Sequence, residues 1–417
     1  MRFSLGINYW PRRSAMAMWQ RFDAGEVRED FARIAGLGLD AVRFFLRWAD
    51  FQPAPDALDP LMLERLETVA DLAAEIGLRI MPTLFCGHMS GVNWLPSWSL
   101  DPATPHGRFR TITERGESPH GIGDFYTGPL LDAQLLFAHA AGERLRAHPA
   151  VLAWDLGNEF SNMRAPANDI DAAEWSGRLT AALEQSSASP VTAGTHGEDL
   201  TQDRNIRFAS LCAPYAFATM HGYPVYSWFA RNRLDPEVVP FLAALTAAFS
   251  HKPVLFSEFG NPACPPGKLS PFDRVALPDE PPQPMISPDD PVLASYACLD
   301  ETEMAAYATA VLDRLHADGR LGGYWWCWAD YAEELREEPP FDRAVHERSF
   351  GIVRSDGSEK PVAAALAGFA HERRSVLAAH EMPTIADAYY FRTLPASTKT
   401  LYDAFLAYVE ERRTEAL

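Results

Sequence analysis

Two stretches of the chain end in a way that suits catalysis. Val151-Leu152-Ala153-Trp154-Asp155-Leu156 is a largely apolar run that opens into Gly157-Asn158-Glu159-Phe160. Pro253-Val254-Leu255-Phe256-Ser257 repeats the plan and leads to Glu258-Phe259-Gly260. Each reads as a buried parallel strand with an acid at its exit. Two carboxylates so placed are the minimum equipment for cleaving a glycosidic bond, since one can protonate the leaving oxygen while the other attacks the sugar or activates water. A single glutamate at a strand end is more often an ion-pair or helix-cap partner, so the elements that would bring the two together matter. They stand 258 − 159 = 99 residues apart. That leaves room for roughly two strand-helix units between them, at about 30 residues or more per unit.

The rest of the chain supplies such units. Phe3 to Tyr9 reads as a first strand, followed by a loop from Pro11 to Trp19. A helix then opens with Glu26, Glu29 and Asp30, shows an apolar face at Phe31, Ile34 and Leu37, and ends at Gly36 and Gly38. Ala41 to Trp48 is the second strand, with Arg43 as an anomaly: a buried run rarely admits a guanidinium without a carboxylate nearby. The spacing of Leu63, Leu66, Val69, Ala70, Ala73 and Ile76 predicts a helix over 61–77, and Arg79 to Cys86 a third strand ending at Gly87 and His88. Residues 89 to about 128, rich in Pro, Gly, Ser and Thr, are expected to form a substrate-binding lobe carrying Trp94, Trp98 and Tyr126.

Further along, helices are predicted over 132–148 and 172–185, with the strand ending at Glu159 between them and a fifth strand over 191–195 followed by His196. A poorly defined helix near 205–212 precedes a sixth strand, 217–223, which ends in His221-Gly222-Tyr223. A helix over 239–249 leads to the strand that ends at Glu258. The proline-dense stretch 261–299 reads as a second long loop over the site. A helix over 301–318, an eighth strand over 321–328 that contains Trp326 and Trp328, and a helix over 360–371 complete the pattern. Eight alternations fit one (β/α)8 TIM barrel spanning residues 1–371, with long loops after strands three and seven. Residues 372–417 are expected to add helices near 384–390 and 397–412, packed on the outside of the barrel.

Composition narrows the function classes. With 47% hydrophobic and 22% charged residues the chain can build a full core, and wholesale disorder is excluded. A formal charge of −19, from 37 basic against 56 acidic side chains, argues against nucleic acid as a partner. Eleven Trp and thirteen Tyr offer flat faces that suit sugar rings, although more than about half should serve packing. The five cysteines are scattered, odd in number and without a CxxC pair, which fits free thiols in a reducing compartment. Neither a signal-peptide core near Met1 nor an apolar run of membrane-spanning length is evident, so the cytoplasm is the expected location and no membrane contact is expected.

Assembled, the set resembles a clan A glycoside hydrolase, and in pattern glycoside hydrolase family 5, from Phe3 to about Ala370. That family carries an arginine on strand two, a histidine after strand three, Asn-Glu after strand four, His-x-Tyr after strand six, a glutamate after strand seven and a tryptophan on strand eight. Arg43, His88, Asn158 with Glu159, His221 with Tyr223, Glu258 and Trp326 follow in that order. Phe160 stands where the family most often has proline after Asn-Glu. The resemblance implies that Glu159 is the acid/base and Glu258 the nucleophile of a retaining double displacement. It also implies that Arg43 and Tyr223 hold Glu258 ionised, that Asn158 binds the sugar 2-hydroxyl, and that His88 and His221 contact sugar hydroxyls or orient Glu159. Trp326 would be the platform beneath the sugar, with Trp328 and Trp94 as further substrate-binding aromatic residues. Physically, the acid must stay protonated near neutral pH, which needs burial or a like-charged neighbour, a part assigned here to Glu258.

The expected substrates are β-mannosides, β-glucosides or related short oligosaccharides or glycoconjugates, cleaved without a cofactor. The alternatives are a catalytically inactive carbohydrate-binding barrel and a transglycosylase on the same scaffold; the first has no use for a nucleophile's supporting groups. Long loops that wall off one end of the cleft would favour exo action. His196 and His120 are read as loop hydrogen-bonders or solvated residues. A metal-hydrolase barrel lacks support, with neither His-x-His after strand one nor His-Glu-x-x-His anywhere. Oligomeric state is not legible in the sequence.

Overall fold

The computed structural model describes residues 1–263, 300–380, 382 and 385–415. Eight parallel strands form the centre: β1 (Ser4–Tyr9), β2 (Ala41–Arg47), β3 (Arg79–Cys86), β4 (Trp154–Asn158), β5 (Val191–Gly194), β6 (Ala218–His221), β7 (Val254–Phe259) and β8 (Gly322–Trp325). Their order is β5-β4-β3-β2-β1-β8-β7-β6, so each strand lies beside its sequence neighbours and β8 returns to β1. This is the (β/α)8 barrel expected from the alternation.

The last seam, between β5 and β6, closes differently. His196 and His221 make a single parallel bridge, with the His221 amide donating to Thr195 O at 2.9 Å. Threonine hydroxyls replace the rest of the ladder: Thr195 donates to Thr219 O at 2.6 Å, Thr192 to Phe217 O at 3.1 Å, and Thr219 to Ala193 O. The seam thus has satisfied polar groups without a regular ladder. It also places His196 and His221 side by side at the mouth.

Helices α1 (Ala24–Gly36), α2 (Pro60–Ile76), α3 (Gly128–Arg144), α4 (Asp169–Ser186), α5 (Phe208–Leu211), α6 (Val238–Ser250), α7 (Glu301–Ala317) and α8 (Pro361–His371) alternate with the strands. Their ends are set by local chemistry. Asp23, Asp59 and Asn168 accept hydrogen bonds from first-turn amides, and Asp300 with Glu303 forms a capping box. Gly77 takes the left-handed conformation, φ 85°, that stops α2. Helix α3 starts at Gly128, four residues before the predicted 132, because Pro129 at its start suits a first turn. It ends at Arg144, short of the predicted 148.

Beyond the barrel, α9 (Asp387–Arg392) and α10 (Ala396–Glu415) lie against α6. Tyr402 and Phe405 pack on Phe241 with ring centres 4.9 and 5.6 Å apart, Tyr390 packs on Phe249 at 4.9 Å, and the Tyr402 hydroxyl donates to Asp235 at 2.6 Å. The proline-dense stretch read as a second long loop lies largely outside the described residues, as do Cys264 and Cys298. Cys86, Cys212 and Cys327 are buried free thiols. No helix among the described residues is long and apolar enough to cross a membrane.

The connection after β3 is not irregular but folded. His88–Met89, Val92–Trp94, Arg110–Thr113 and Gly116–Ser118 form a small sheet, and Leu100–Pro105 pairs with His120–Ile122. The aromatic residues expected to bind substrate from this lobe instead fasten it to the barrel. Trp98 donates to Gln52 O at 2.9 Å and packs edge-on against Trp48, while Tyr126 donates to Arg164 O and sits between Phe125, Phe160 and Trp175. Trp94 donates to Met89 O at 3.3 Å under the Arg47 guanidinium. Large aromatic rings on a lobe with so little core of its own are worth more as anchors than as exposed surfaces.

Candidate active site

Both acids sit where strand register breaks. The β4–β5 pairing shifts between Leu156 and Asn158, where Gly157 has φ 74° and Glu159 itself has φ 45°. The β6–β7 pairing shifts between Met220 and His221, so that His221 faces Glu258, and β7–β8 shifts between Phe256 and Phe259. A bulge re-aims a side chain at the rim of a barrel, and here the irregular seams turn Glu159, His221 and Glu258 toward one another. One side-chain atom of each lies within 4.8 Å of the other two.

Arg43 resolves its own anomaly by using every N–H it has. Nε and Nη2 donate to Asp155 Oδ2 at 2.9 and 2.7 Å, Nη2 to Asn158 Oδ1 at 2.8 Å, and Nη1 to Asn8 Oδ1 and Glu258 Oε2, each at 3.0 Å. Arg43 and Asp155 are fully buried. The rigid fork of a guanidinium therefore ties β1, β2, β4 and β7 together beneath the site. Asp155 also accepts from Thr83 at 2.7 Å. Sequence reading overlooked Asp155, although an acid within a buried run was the same signal as Arg43.

Glu258 accepts from the Tyr223 hydroxyl at 2.5 Å on its other oxygen. Burial pushes its pKa up and the Glu159 charge adds to this, while His221, Arg43 and Tyr223 pull it back. The ion-pair partners that Glu159 has among the described residues are histidines, His88 and His221. Glu159 accepts from Asn162 Nδ2 at 3.0 Å, and its other oxygen lies 3.3 Å from His221 Nδ1. Burial, and then the carboxylate of Glu198, raise Glu159 to about 7. Glu198 is thus a like-charged neighbour of Glu159 that sequence reading did not name, and the repulsion expected between Glu159 and Glu258 is felt as a rise on Glu258.

Burial works against charge on both histidines. Desolvation lowers His88 to about 3 and His221 to about 4. His88 Nδ1 is 2.8 Å from Asn93 Oδ1, which fixes Nδ1 as the protonated nitrogen and leaves Nε2 an acceptor, 3.8 Å from Glu159. Asn158 spans the site floor, its Oδ1 on Arg43 and its Nδ2 donating to His88 O at 3.0 Å.

His88, Asn158, Glu159, His221, Tyr223, Glu258 and Trp326 line one cavity, with Arg43 directly behind Glu258. Trp94 and Trp328 are not part of its wall. Trp328 is buried against α1 beneath the Arg33 guanidinium, and its indole bonds to Asp30. It directly follows Cys327, which alone separates it from Trp326. Among the described residues the cavity wall also includes Arg108, Asn162, His196, Glu198, Tyr226 and Glu347, none of which was picked out as a site residue. His196 is buried, not solvated, and bonds to Ser161 Oγ at 2.9 Å. The strand-exit rule that found the other residues would have found it too. Glu347 lies 22 residues beyond the end of β8 (347 − 325) in a charged, irregular stretch that carries no such cue. His120 lies in the lobe, outside the cavity wall.

No protein-family model matches the chain, and no curated protein matches it. Solved structures do. An exo-beta-1,4-mannosidase, Op5Man5, from Opitutaceae bacterium strain TAV5 is 26% identical with a TM-score of 0.69, over 89% of this chain and 59% of that one. A GH5_18 protein from Streptomyces cattleya, solved with GlcNAc, is 20% identical with a TM-score of 0.76, over 99% of this chain and 92% of that one. The barrel fold is similar to that of these family 5 glycoside hydrolases. This likeness runs over almost the whole length of the Streptomyces protein, and a glutamate-to-alanine variant of that protein, in complex with Manb1-4GlcNAc, matches with a TM-score of 0.74, at 21% identity over 98% of this chain and 92% of that one. The present chain spans about three fifths of the length of the Opitutaceae enzyme. In this barrel the ordered residues from His88 to Trp326 stand at the carboxyl ends of the strands or next to them, and Arg43 lies within β2.

One prediction follows from the state of Glu159. A folded chain that keeps this proton until about pH 7, while the unfolded chain releases it near the ordinary carboxylate pKa, loses stability as pH rises across that window. Glu159→Gln removes the loss. The variant is expected to be more stable than the parent at pH 8, by up to about 3 kcal/mol, and equal to it at pH 4. Thermal melts at the two pH values check this, and a difference that is the same at both would contradict it.

Proposed function

We propose that this protein is a retaining β-glycoside hydrolase that removes a terminal β-mannosyl unit from short oligosaccharides or glycoconjugates. The observation that carries the reading is the pairing of Glu159 and Glu258, with oxygens within 4.8 Å of each other, where only Glu258 is clamped by a guanidinium and a phenol. Carboxyl groups about 5–5.5 Å apart suit a double displacement, whereas inversion needs about 6.5–9.5 Å to admit a water.

In the first step a Glu258 oxygen attacks the anomeric carbon, the bond to the leaving oxygen breaks, and Glu159 gives that oxygen its proton. A pKa near 7 lets Glu159 hold the proton until it is needed. Arg43 and Tyr223 keep Glu258 anionic and make it a competent leaving group in the second step. There Glu159 takes a proton from water, the water oxygen attacks the anomeric carbon, and the bond to Glu258 breaks. Asn158 stands beside both acids, where a sugar 2-hydroxyl would reach it, and Trp326 offers an apolar face in the cavity wall.

The choice of mannose is supported by the two solved relatives, one an exo-beta-1,4-mannosidase and the other bound to Manb1-4GlcNAc. The reading is tested with aryl β-mannoside, β-glucoside, β-galactoside and β-xyloside, together with Manβ1-4GlcNAc. Preferred cleavage of the mannosides, with the first-formed sugar a β-anomer by NMR, is the expected result. First-formed α-product would exclude retention, and a panel on which the protein is inert would exclude hydrolysis.

A further inference from the structure

The wall of the cavity beyond Glu258 holds polar atoms that the double displacement leaves unused. Glu347 is in the loop after β8, on a single turn of 3-10 helix (Val345–Arg348), and is only 7% exposed. Its Oε1 accepts from the Tyr226 hydroxyl at 3.2 Å. That hydroxyl also lies 2.8 Å from His346 Nε2. The network sets its own polarity: with the tyrosine proton on Glu347, His346 must donate through Nε2 to the tyrosine oxygen.

Glu347 Oε2, by contrast, is buried and has no hydrogen-bond partner among the described residues. Ser90 Oγ, at the tip of the hairpin between His88–Met89 and Val92–Trp94, is buried and equally unpartnered. Burial raises Glu347 to about 7, and the Ser90 hydroxyl, the Tyr226 hydroxyl and the Trp326 indole lie close enough to pull it back. All three residues line the same cavity as Glu258. A buried carboxylate oxygen left unmatched is costly, and native proteins seldom keep one without a use.

We infer that Glu347 and Ser90 form a hydroxyl-reading site for the sugar held at Glu258, in which one sugar hydroxyl donates to Glu347 Oε2 and accepts from Ser90 Oγ. The inference rests on the glycosidase reading and deepens it. A hydroxyl group is the ligand that fits, because it is donor and acceptor at once and completes both orphaned atoms. A methylene group would leave both unpaired, and a carboxylate would face Glu347 with like charge. The hydroxyl concerned belongs to C3, C4 or C6, since the 2-hydroxyl is claimed by the Asn158 side. With the hairpin tip and the Val345–Arg348 turn meeting at this end, the site holds a chain terminus and not an internal residue, which gives exo action a structural cause.

The test uses 4-nitrophenyl β-mannoside and its 3-deoxy, 4-deoxy and 6-deoxy analogues with the parent, Glu347→Ala, Glu347→Gln and Ser90→Gly. Glycine suits position 90, whose φ is 51°. In the parent one analogue is expected to lose about 100-fold or more in kcat/KM, the scale on which sites built around a substrate hydroxyl discriminate. In Glu347→Ala that analogue and the full sugar should react at similar rates, and Ser90→Gly should shrink the gap. Should the alanine variant fail to fold, Glu347→Gln and Ser90→Gly report the same gap. A parent that treats all three analogues alike, or variants that keep the parent's discrimination, would overturn the assignment and leave the glycosidase reading standing. A parent inert on every glycoside would overturn both.

Discussion

Glu258→Ala is expected to lower kcat on an aryl β-mannoside by roughly 10⁵-fold, the order of loss when a covalent nucleophile is deleted. The side chain removed is the one that Arg43 and Tyr223 jointly orient, so no neighbouring group can take its place. Truncation opens room beside the anomeric carbon, and azide added to the reaction should enter there and yield the glycosyl azide of inverted configuration. The Glu159→Ala variant should behave differently. Its first step with a good aryl leaving group needs little acid help, so the loss is about 10²–10⁴-fold, and azide should give the retained product. Product configuration by NMR separates the two roles. Full activity in Glu258→Ala would refute the mechanism.

Arg43→Met is expected to be the most damaging single change to stability. Arg43 has no exposure and its partners Asp155 and Glu258 are buried with it. Removing the shared cation leaves two buried carboxylates with hydroxyl donors from Thr83 and Tyr223 but without their counter-charge. Breaking a buried pair costs about 3–5 kcal/mol, measurable as a shift of the midpoint in urea. The same variant should lose activity near neutral pH, because Glu258 without Arg43 is held in its protonated form and the acid limb of the pH-rate profile moves upward. Asp155→Asn keeps Glu258 paired and should destabilise the fold with a smaller shift of that limb. Equal profiles for the two variants would mean that Arg43 acts only as a structural tie.

Much of the architecture was legible because the barrel strands are buried on both faces. Such strands read as short apolar runs, and the polar residues that interrupt them stand out, as Arg43 did. Strand exits were legible for the same reason: polarity returns at Asn158-Glu159, at His221 and around Glu258. The aromatic residues of the lobe were misread because composition reports only that a segment is polar and proline-rich. Whether its tryptophans face sugar or the barrel depends on what lies beneath, and here Trp48, Phe125 and Trp175 do. Trp328 was misjudged for a related reason. Its neighbour Trp326 faces the cavity, but the chain beyond β8 no longer alternates as a regular strand.

The sequence alone determined the strand-helix count, the position of two glutamates at strand exits and the need of Arg43 for a carboxylate, since these follow from local hydrophobic pattern and the cost of a buried charge. The tertiary structure decided which charges meet. Register shifts at β4–β5 and β6–β7 aim Glu159 and Glu258 at the same point, Asp155 shares the guanidinium, and Glu198 reaches Glu159 from the loop after β5. Glu347 reaches the cavity from a loop 22 residues past its strand (347 − 325). No local pattern encodes such encounters, because a bulge or a long loop moves a side chain by several ångströms without changing the hydrophobic period around it.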